Sequence, residues 1–163
     1  MKFDDKQVLD KPSSVVIKMY VDRSFFERKY KEIGASDIKV LEHEKSDKKF
    51  RIKCAYTLPS SPKMPGFVTK LIGDTTPIIQ EDTWDIASKT GRLSVEIKGA
   101  PVKISCDMTL KDEGKGSSNN FKWNVSSNVP LIGGKIESFI ADDIKDKARN
   151  DLAATRKILA DYQ

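Results

Sequence analysis

The sequence predicts an α+β domain in which an antiparallel sheet lies against one long C-terminal helix. From Gly134 to Asp161 the chain has no proline, and its apolar residues recur in steps of three and four, the period of one helix face. Between residues 38 and 125, several segments instead alternate between apolar and polar residues, as strands with one buried face do. Because a helix of about 42 Å needs an equally long apolar surface, we expect it to cover the sheet.

The first part of the chain contains one weak strand signal and two helical segments. Lys2 to Leu9 is a candidate strand, and Pro12 lies in the stretch that ends it. Ser14 to Val21 fits a strand by its β-branched residues and a helix by its i,i+4 apolar pairs, so the residues alone leave both open. Asp22 to Ile33 predicts a second helical segment, which Gly34 ends.

Six strands are predicted after these segments. The inward positions of the five most regular ones are Ile38 and Val40; Ile52, Cys54, Tyr56 and Leu58; Leu93, Val95 and Ile97; Val102, Ile104, Cys106, Met108 and Leu110; and Phe121, Trp123 and Val125. The sixth strand, Ile78 to Ile86, is less regular and has Trp84 and Ile86 on one face. Short turns between these segments predict an antiparallel meander.

One segment between two strands fits neither period. Leu58 to Pro65 contains three prolines and predicts a loop, and an apolar stretch that includes Ile72 follows it. This segment either covers one end of the domain or forms a movable lid over a ligand entrance. As a lid, it would also make weak peripheral contact with a membrane through Lys63 and Lys70.

The order of these elements resembles the START-like superfamily, also called the SRPBCC or birch-pollen-allergen-like superfamily. Asp10 to Val15 is similar to the superfamily's junction between first strand and first helix, which favours the helix for Ser14 to Val21. Within the superfamily, the chain most resembles an uncharacterised bacterial family of domains of unknown function. The matching motifs are Ile33-Gly34-Ala35, Leu58-Pro59, Glu81-x-x-Trp84, Gly99-x-Pro101 and Val129 to Glu137.

This resemblance implies one START-like domain over residues 1–163 with the helix-grip fold. In that fold, a curved antiparallel sheet of six to seven strands wraps around the long C-terminal helix, and two short helices follow the first strand. It also implies an apolar cavity between sheet and helix, because members of the superfamily bind lipids, sterols, hormones and polyketides. A minority of them are cyclases, aromatases or hydroxylase components, but the family offers no catalytic residues to transfer.

The residues expected to line this cavity are large and mostly apolar. They are Tyr56, Phe67, Leu71, Trp84, Met108, Trp123, Ile136, Phe139, Ile140 and Ile144. Gln80 and Asp82 are candidate polar groups, because they share the parity of Trp84 in a regular strand, whereas a β-bulge would turn them outward. A carboxyl group inside an apolar cavity would have a raised pKa and could orient or protonate a ligand.

Other function classes find little support in the residues. The formal net charge is +5, but basic residues are dispersed among acidic ones, so we expect no nucleic-acid binding. Cys54 and Cys106 are expected to be buried free thiols and His43 a surface residue, so we predict neither a metal site nor a cofactor. No phosphate loop, dinucleotide fingerprint or nucleophile elbow occurs in the sequence.

We therefore expect a cytoplasmic protein, monomeric or weakly dimeric, that binds a hydrophobic or amphipathic small molecule such as a lipid, isoprenoid or polyketide. Met1 to Asp5 is acidic and unlike a signal peptide, and the longest apolar runs are too short to span a bilayer. One alternative is a cyclase, aromatase or hydratase that uses Asp82, Gln80, Tyr56 or Asp107. Another is a cochaperone-like module that binds proteins through an exposed apolar patch.

Overall fold

A computed structural model describes the backbone of residues 1–163 and the side chains of residues 1–71 and 73–163. The elements are β1 (Lys2–Leu9), α1 (Ser13–Tyr20), α2 (Arg23–Glu32), β2 (Ser36–Lys45), β3 (Lys49–Pro59), α3 (Gly66–Ile72), β4 (Thr75–Asp85), β5 (Thr90–Ile97), β6 (Lys103–Glu113), β7 (Gly116–Ser126) and α4 (Gly133–Leu159). The expectation that Ile72 belongs to a lid concerns a side chain that lies outside those described.

The seven strands form one antiparallel sheet in the order β1-β7-β6-β5-β4-β3-β2. Helix α4 lies closest to β7 and β1 on the concave side of this sheet, and α2 packs against α4. The predicted α+β helix-grip fold is therefore confirmed, with seven strands, two helices after the first strand and one long helix after the last.

The segment whose residues left strand and helix open is helix α1. Pro12 precedes it with φ −65° and ψ 158°, and the backbone amides of Val15 and Val16 both donate to the Pro12 carbonyl oxygen. Proline suits this place because it has no amide hydrogen to leave unpaired. Helix α2 begins with a cap, since the backbone amide of Ser24 donates to the Asp22 carboxylate at 3.0 Å.

Strand β4 is regular, and this regularity decides which way its polar residues face. Its register against β3 and β5 is continuous, with Asp82 opposite Ile52 on one side and Leu93 on the other. Gln80 and Asp82 therefore share the concave face with Trp84, and both are buried. The register shifts of this sheet occur instead between β2 and β3.

Helix α4 is held at its two ends by different means. At its start, a Cβ atom on Gly133 would lie 2.9 Å from the carbonyl oxygen of Ser127, so only glycine allows this close approach to the end of β7. At its other end, the Lys11 ammonium donates to the Leu159 carbonyl oxygen at 2.9 Å, and the Arg156 guanidinium donates to the Val8 carbonyl oxygen at 2.8 Å. Both ends are therefore fixed to the sheet or to residues next to β1.

Candidate functional site

A cavity of about 200 Å³ lies between the concave face of the sheet and helices α2 and α4. Strands β3 to β7 and helix α4 supply its apolar wall, which includes Leu58, Ile78, Leu93, Val95, Ile104 and Phe121. A close-packed interior has few voids larger than a water molecule, so a space of this size is unusual in a packed core.

Most of the predicted lining residues reach this cavity. Those that do are Tyr56, Trp84, Met108, Trp123, Phe139, Ile140 and Ile144. Ile136 is instead buried in the core, one turn closer to Gly133, where helix and sheet lie too close together to leave a gap. The cavity lining on α4 therefore begins at Phe139.

Phe67 and Leu71 also lie outside the lining. Both are partly buried and pack against the core from α3. The Leu71 carbonyl oxygen would lie 3.6 Å from a Cβ atom on Gly99, so α3 rests against the turn between β5 and β6. Met64 and Ser61, from the proline-rich loop before α3, line the cavity from this connection.

One end of the cavity contains a chain of buried hydrogen bonds. The Tyr56 hydroxyl donates to Oε1 of Gln80 at 2.7 Å, and Nε2 of Gln80 donates to Oδ1 of Asp82 at 2.7 Å. The two β4 residues stand two apart on the same face, and Tyr56 reaches them from neighbouring β3. This chain gives Asp82 a fixed orientation in a largely apolar space.

A second polar group lines the cavity near the first. The Lys29 ammonium from α2 lies 3.3 Å from Oδ1 of Asp151 on α4, and Nε2 of Gln7 on β1 donates to Oδ2 of Asp151 at 2.8 Å. Lys29 also lies over the rings of Phe25 and Tyr30, at 5.4 and 5.9 Å from their centroids. The cavity therefore holds a partly buried ion pair in addition to the Asp82 carboxyl group.

Burial and charge act in opposite directions on these ionisable groups. Burial raises the pKa of Asp82 to about 6, while the Lys29 ammonium and the Gln80 amide act to lower it. Burial alone would lower the pKa of Lys29, but the carboxylates of Asp151 and Asp82 outweigh it, so this pKa is raised. Asp82 therefore changes its protonation state near pH 6 while Lys29 stays charged.

Three side chains of the lining carry buried polar atoms that find no hydrogen-bond partner among the described residues. The atoms concerned are the oxygen and the nitrogen of the Asn119 amide, the hydroxyl of Tyr20 and the indole Nε1 of Trp123. Tyr20 stacks on Trp84 with their ring centroids 5.1 Å apart, which fixes the position of its hydroxyl. Most buried polar groups in proteins are hydrogen-bonded, so this set needs an explanation.

Sequence reasoning missed Lys29, Asn119 and Asp151, although the first two had a signal. Lys29 is one turn from Phe25 and Phe26 on the apolar face of α2, where a charged residue is unusual. Asn119 continues the inward parity of Phe121, but a polar residue there breaks the apolar alternation that marks the strand. Asp151 belongs to the polar face of the long helix by its spacing, whereas the structure turns it to Gln7 and Lys29.

The other candidate groups lie away from the cavity or are unreactive. His43 is exposed on β2, and Asp107 is exposed on the outer face of the sheet, where it pairs with Arg92 at 2.6 Å. Burial raises the pKa of the Cys54 and Cys106 thiols to about 12 each. Within the described part of the chain, no group of three or more His, Cys, Asp or Glu residues is placed to hold a metal ion.

No helix of the described chain combines the length and the hydrophobicity that crossing a bilayer requires.

Comparison with solved structures places the fold among known ones. TTHA0849 from Thermus thermophilus is 12% identical with a TM-score of 0.69, covering 98% of this chain and 97% of that one. Ara h 8.0201 is 16% identical with a TM-score of 0.66, covering 98% and 97%. The ZhuI aromatase/cyclase from Streptomyces sp. R1128 is 9% identical with a TM-score of 0.62, covering 98% and 93%. At such identities, the likeness shows the fold alone.

Comparison of sequences finds one family and no curated protein. The family, described as "Protein of unknown function (DUF2505)", matches residues 6–159 and so covers both walls of the cavity. The chain belongs to the DUF2505 family and has the START-like fold that its sequence predicted.

Proposed function

We propose that the protein binds a compact, mostly apolar small molecule in the cavity between the sheet and α4. The observation that carries this proposal is the cavity itself, about 200 Å³ of space with a largely apolar wall in the position where a packed core would otherwise lie. Concave apolar sites with a few convergent polar groups are the usual form of ligand sites.

The size of the cavity favours a small ring system over a long lipid chain. An engineered apolar cavity on the order of 150 Å³ accepts benzene, so a volume of about 200 Å³ suits a single ring or two fused rings. A longer isoprenoid or acyl chain would fit only with outward movement of the cavity wall. The ZhuI aromatase/cyclase, whose fold is similar, supports the same preference for ring compounds.

Naphthalene is a suitable probe, because it has two fused rings and its fluorescence responds to its surroundings. Val95→Trp should fill part of the cavity and weaken naphthalene binding at least about tenfold, since Val95 lines the wall from β5. Ser94→Trp is the matched control, because Ser94 is the neighbouring residue and is exposed on the other face of the same strand. This control should bind naphthalene as the unmodified protein does.

Two outcomes would overturn the binding proposal. One is that fluorescence titration and native mass spectrometry both find no naphthalene bound to the unmodified protein. The other is that Val95→Trp and Ser94→Trp bind naphthalene equally well, which would place the bound probe outside the cavity.

A second candidate function is proton transfer to or from the bound molecule. Asp82 favours it, because this carboxyl group faces the cavity and its raised pKa of about 6 suits an acid–base group at neutral pH. Asp107, the other acid considered from the sequence, is exposed on the outer face of the sheet and has no part in this proposal.

The bicyclic ketone 2-tetralone tests this second function, because its acidic C–H bonds exchange with deuterium when a base removes the proton. An enzyme of this kind should accelerate that exchange, as followed by NMR, and Asp82→Asn should abolish the acceleration without abolishing ketone binding. Asp107→Asn is the control and should retain it. Equal exchange rates with and without protein would leave binding as the only function of the cavity.

Nothing in the described structure favours the cochaperone-like alternative over these two. The large apolar residues exposed in the described structure are Met1, Val8, Leu41 and Leu131, of which Val8 and Leu41 lie on β1 and β2, the two opposite edges of the sheet. Residues this far apart do not make one docking patch.

A further inference from the structure

The side chain of Asn119 indicates what kind of polar group the ligand carries. Asn119 is fully buried on β7 and lines the cavity, and neither atom of its amide has a hydrogen-bond partner among the described residues. Asn120, its neighbour in the same strand, differs because its amide donates to the Thr109 carbonyl oxygen at 3.2 Å. A buried amide without a partner destabilises the fold, so its presence at the cavity wall needs a functional reason.

The neighbouring polar groups of the cavity are already engaged with one another. Gln7 and Lys29 bind Asp151, while Gln80 binds Asp82. The hydroxyl of Tyr20 is the other buried group at this end that has no partner within the described chain. Burial raises the pKa of this hydroxyl, and the Asn119 amide lowers it as a neighbouring hydrogen-bonding group, so the two side chains lie close together. The pair does not reach the distance and angle of a hydrogen bond, which leaves the polar atoms of both side chains without a satisfied partner among the residues described. Together they offer donors and acceptors to a bound molecule.

The charges that line the cavity decide which polar groups are acceptable. Four carboxylates face two ammonium groups, and the residues concerned are Asp5, Asp82, Asp143, Asp151, Lys29 and Lys147. Both ammonium groups are already paired, Lys29 with Asp151 and Lys147 with Asp143. A carboxylate or phosphate on the ligand would therefore meet an excess of negative charge with no free cation in the described lining.

We propose that the cavity selects ligands with an uncharged hydroxyl group, which Asn119 and Tyr20 bind, and that it rejects ligands with an anionic group. A hydroxyl group donates and accepts at once, so it satisfies an amide and a phenol together. This selectivity rests on the proposed binding function, and it narrows the ligand class to neutral hydroxylated ring compounds.

Three probes with one skeleton test the selectivity at pH 7. Naphthalene carries no polar group, 2-naphthol carries an uncharged hydroxyl group, and 2-naphthoate carries a carboxylate. We expect 2-naphthol to bind at least about tenfold more tightly than naphthalene, because it adds hydrogen bonds to groups that otherwise lack them. We expect 2-naphthoate to bind at least about tenfold more weakly than 2-naphthol.

Two variants assign the selectivity to residues. Asn119→Leu has a similar volume but no amide, so the ratio of its affinities for 2-naphthol and naphthalene should lose most of the preference for 2-naphthol. It should also raise the melting temperature of the ligand-free protein, because it removes an unpaired buried amide. Tyr20→Phe keeps the stack on Trp84 and should lose part of the same preference. Asn120→Leu is the matched control and should leave the ranking of probes unchanged.

The outcomes separate this inference from the proposed function. If none of the three probes binds, the binding function itself fails. If naphthalene binds but 2-naphthol gains no advantage, the binding function stands, and water must satisfy Asn119 and Tyr20 better than a ligand does, which overturns the inference. The ranking of the probes is measured on the unmodified protein. It therefore tests the inference even if Asn119→Leu does not fold.

Discussion

Asp82→Asn should stabilise the protein relative to the unmodified chain, and this gain in unfolding free energy should be larger at neutral pH than at acidic pH. Burial moves the pKa of Asp82 from 3.8 to about 6. Below about pH 3 the carboxyl group is protonated in the folded and unfolded chains alike, so its burial as a charge costs nothing. As the pH rises from 4 to 6, the unfolded chain releases the proton first, and stability falls. Above about pH 6 the whole penalty is present, roughly 3 kcal/mol at 1.4 kcal/mol for each pH unit.

Urea unfolding of both proteins between pH 4 and pH 7.5 measures this penalty. Asparagine stays neutral and still accepts the hydrogen bond from Gln80, so the unfolding free energy of Asp82→Asn should rise by about 3 kcal/mol relative to the unmodified protein across this range. Asp107→Asn, on the exposed outer face, should show no comparable rise. A difference that stays constant with pH, or that is largest in acid, would refute a buried, raised-pKa Asp82.

Ile140→Asp should lower the unfolding free energy by at least about 2 kcal/mol, because it puts a charge between helix and sheet, whereas exposed Lys145→Asp should change it much less. Equal melting temperatures would mean that the buried face of α4 is assigned wrongly. Gly91→Ala should lower the free energy of unfolding by roughly 1–3 kcal/mol, because its Cβ would lie 2.8 Å from the indole ring of Trp84. An unchanged free energy in urea unfolding would contradict that packing. Replacing Phe67 and Leu71 together by serine should lower the melting temperature but keep naphthalene affinity within about threefold, since neither side chain lines the cavity. A tenfold affinity loss at an unchanged melting temperature would identify α3 as a lid.

The fold was predictable because periodicity reports burial directly. The inward residues of β3, such as Ile52 and Cys54, alternate so regularly that the sheet face follows from the sequence. Local preference failed only at Ser14 to Val21, where β-branched residues fold into α1 because its apolar face packs into the core. The resemblance to the superfamily decided that segment before the structure did.

The apolar wall was mostly predictable for the same reason, but the polar end of the cavity was not. Lys29, Asp151 and Asn119 come from α2, α4 and β7, and their proximity exists only after the helices close over the sheet. In a periodic pattern, a polar residue at an inward position looks like the end of an element. Sequence patterns therefore identify the apolar wall of the cavity more readily than its polar groups.

The attachment of α4 to the start of the chain also governs the order of folding during translation. Lys11 donates a hydrogen bond to Leu159, and Arg156 donates one to Val8. Each pair of residues is 148 positions apart in the sequence. A ribosome releases residues in order, so the concave face of the sheet is made before the helix that covers it. Until α4 emerges, the apolar wall of the future cavity stays open to other nascent chains and to chaperones.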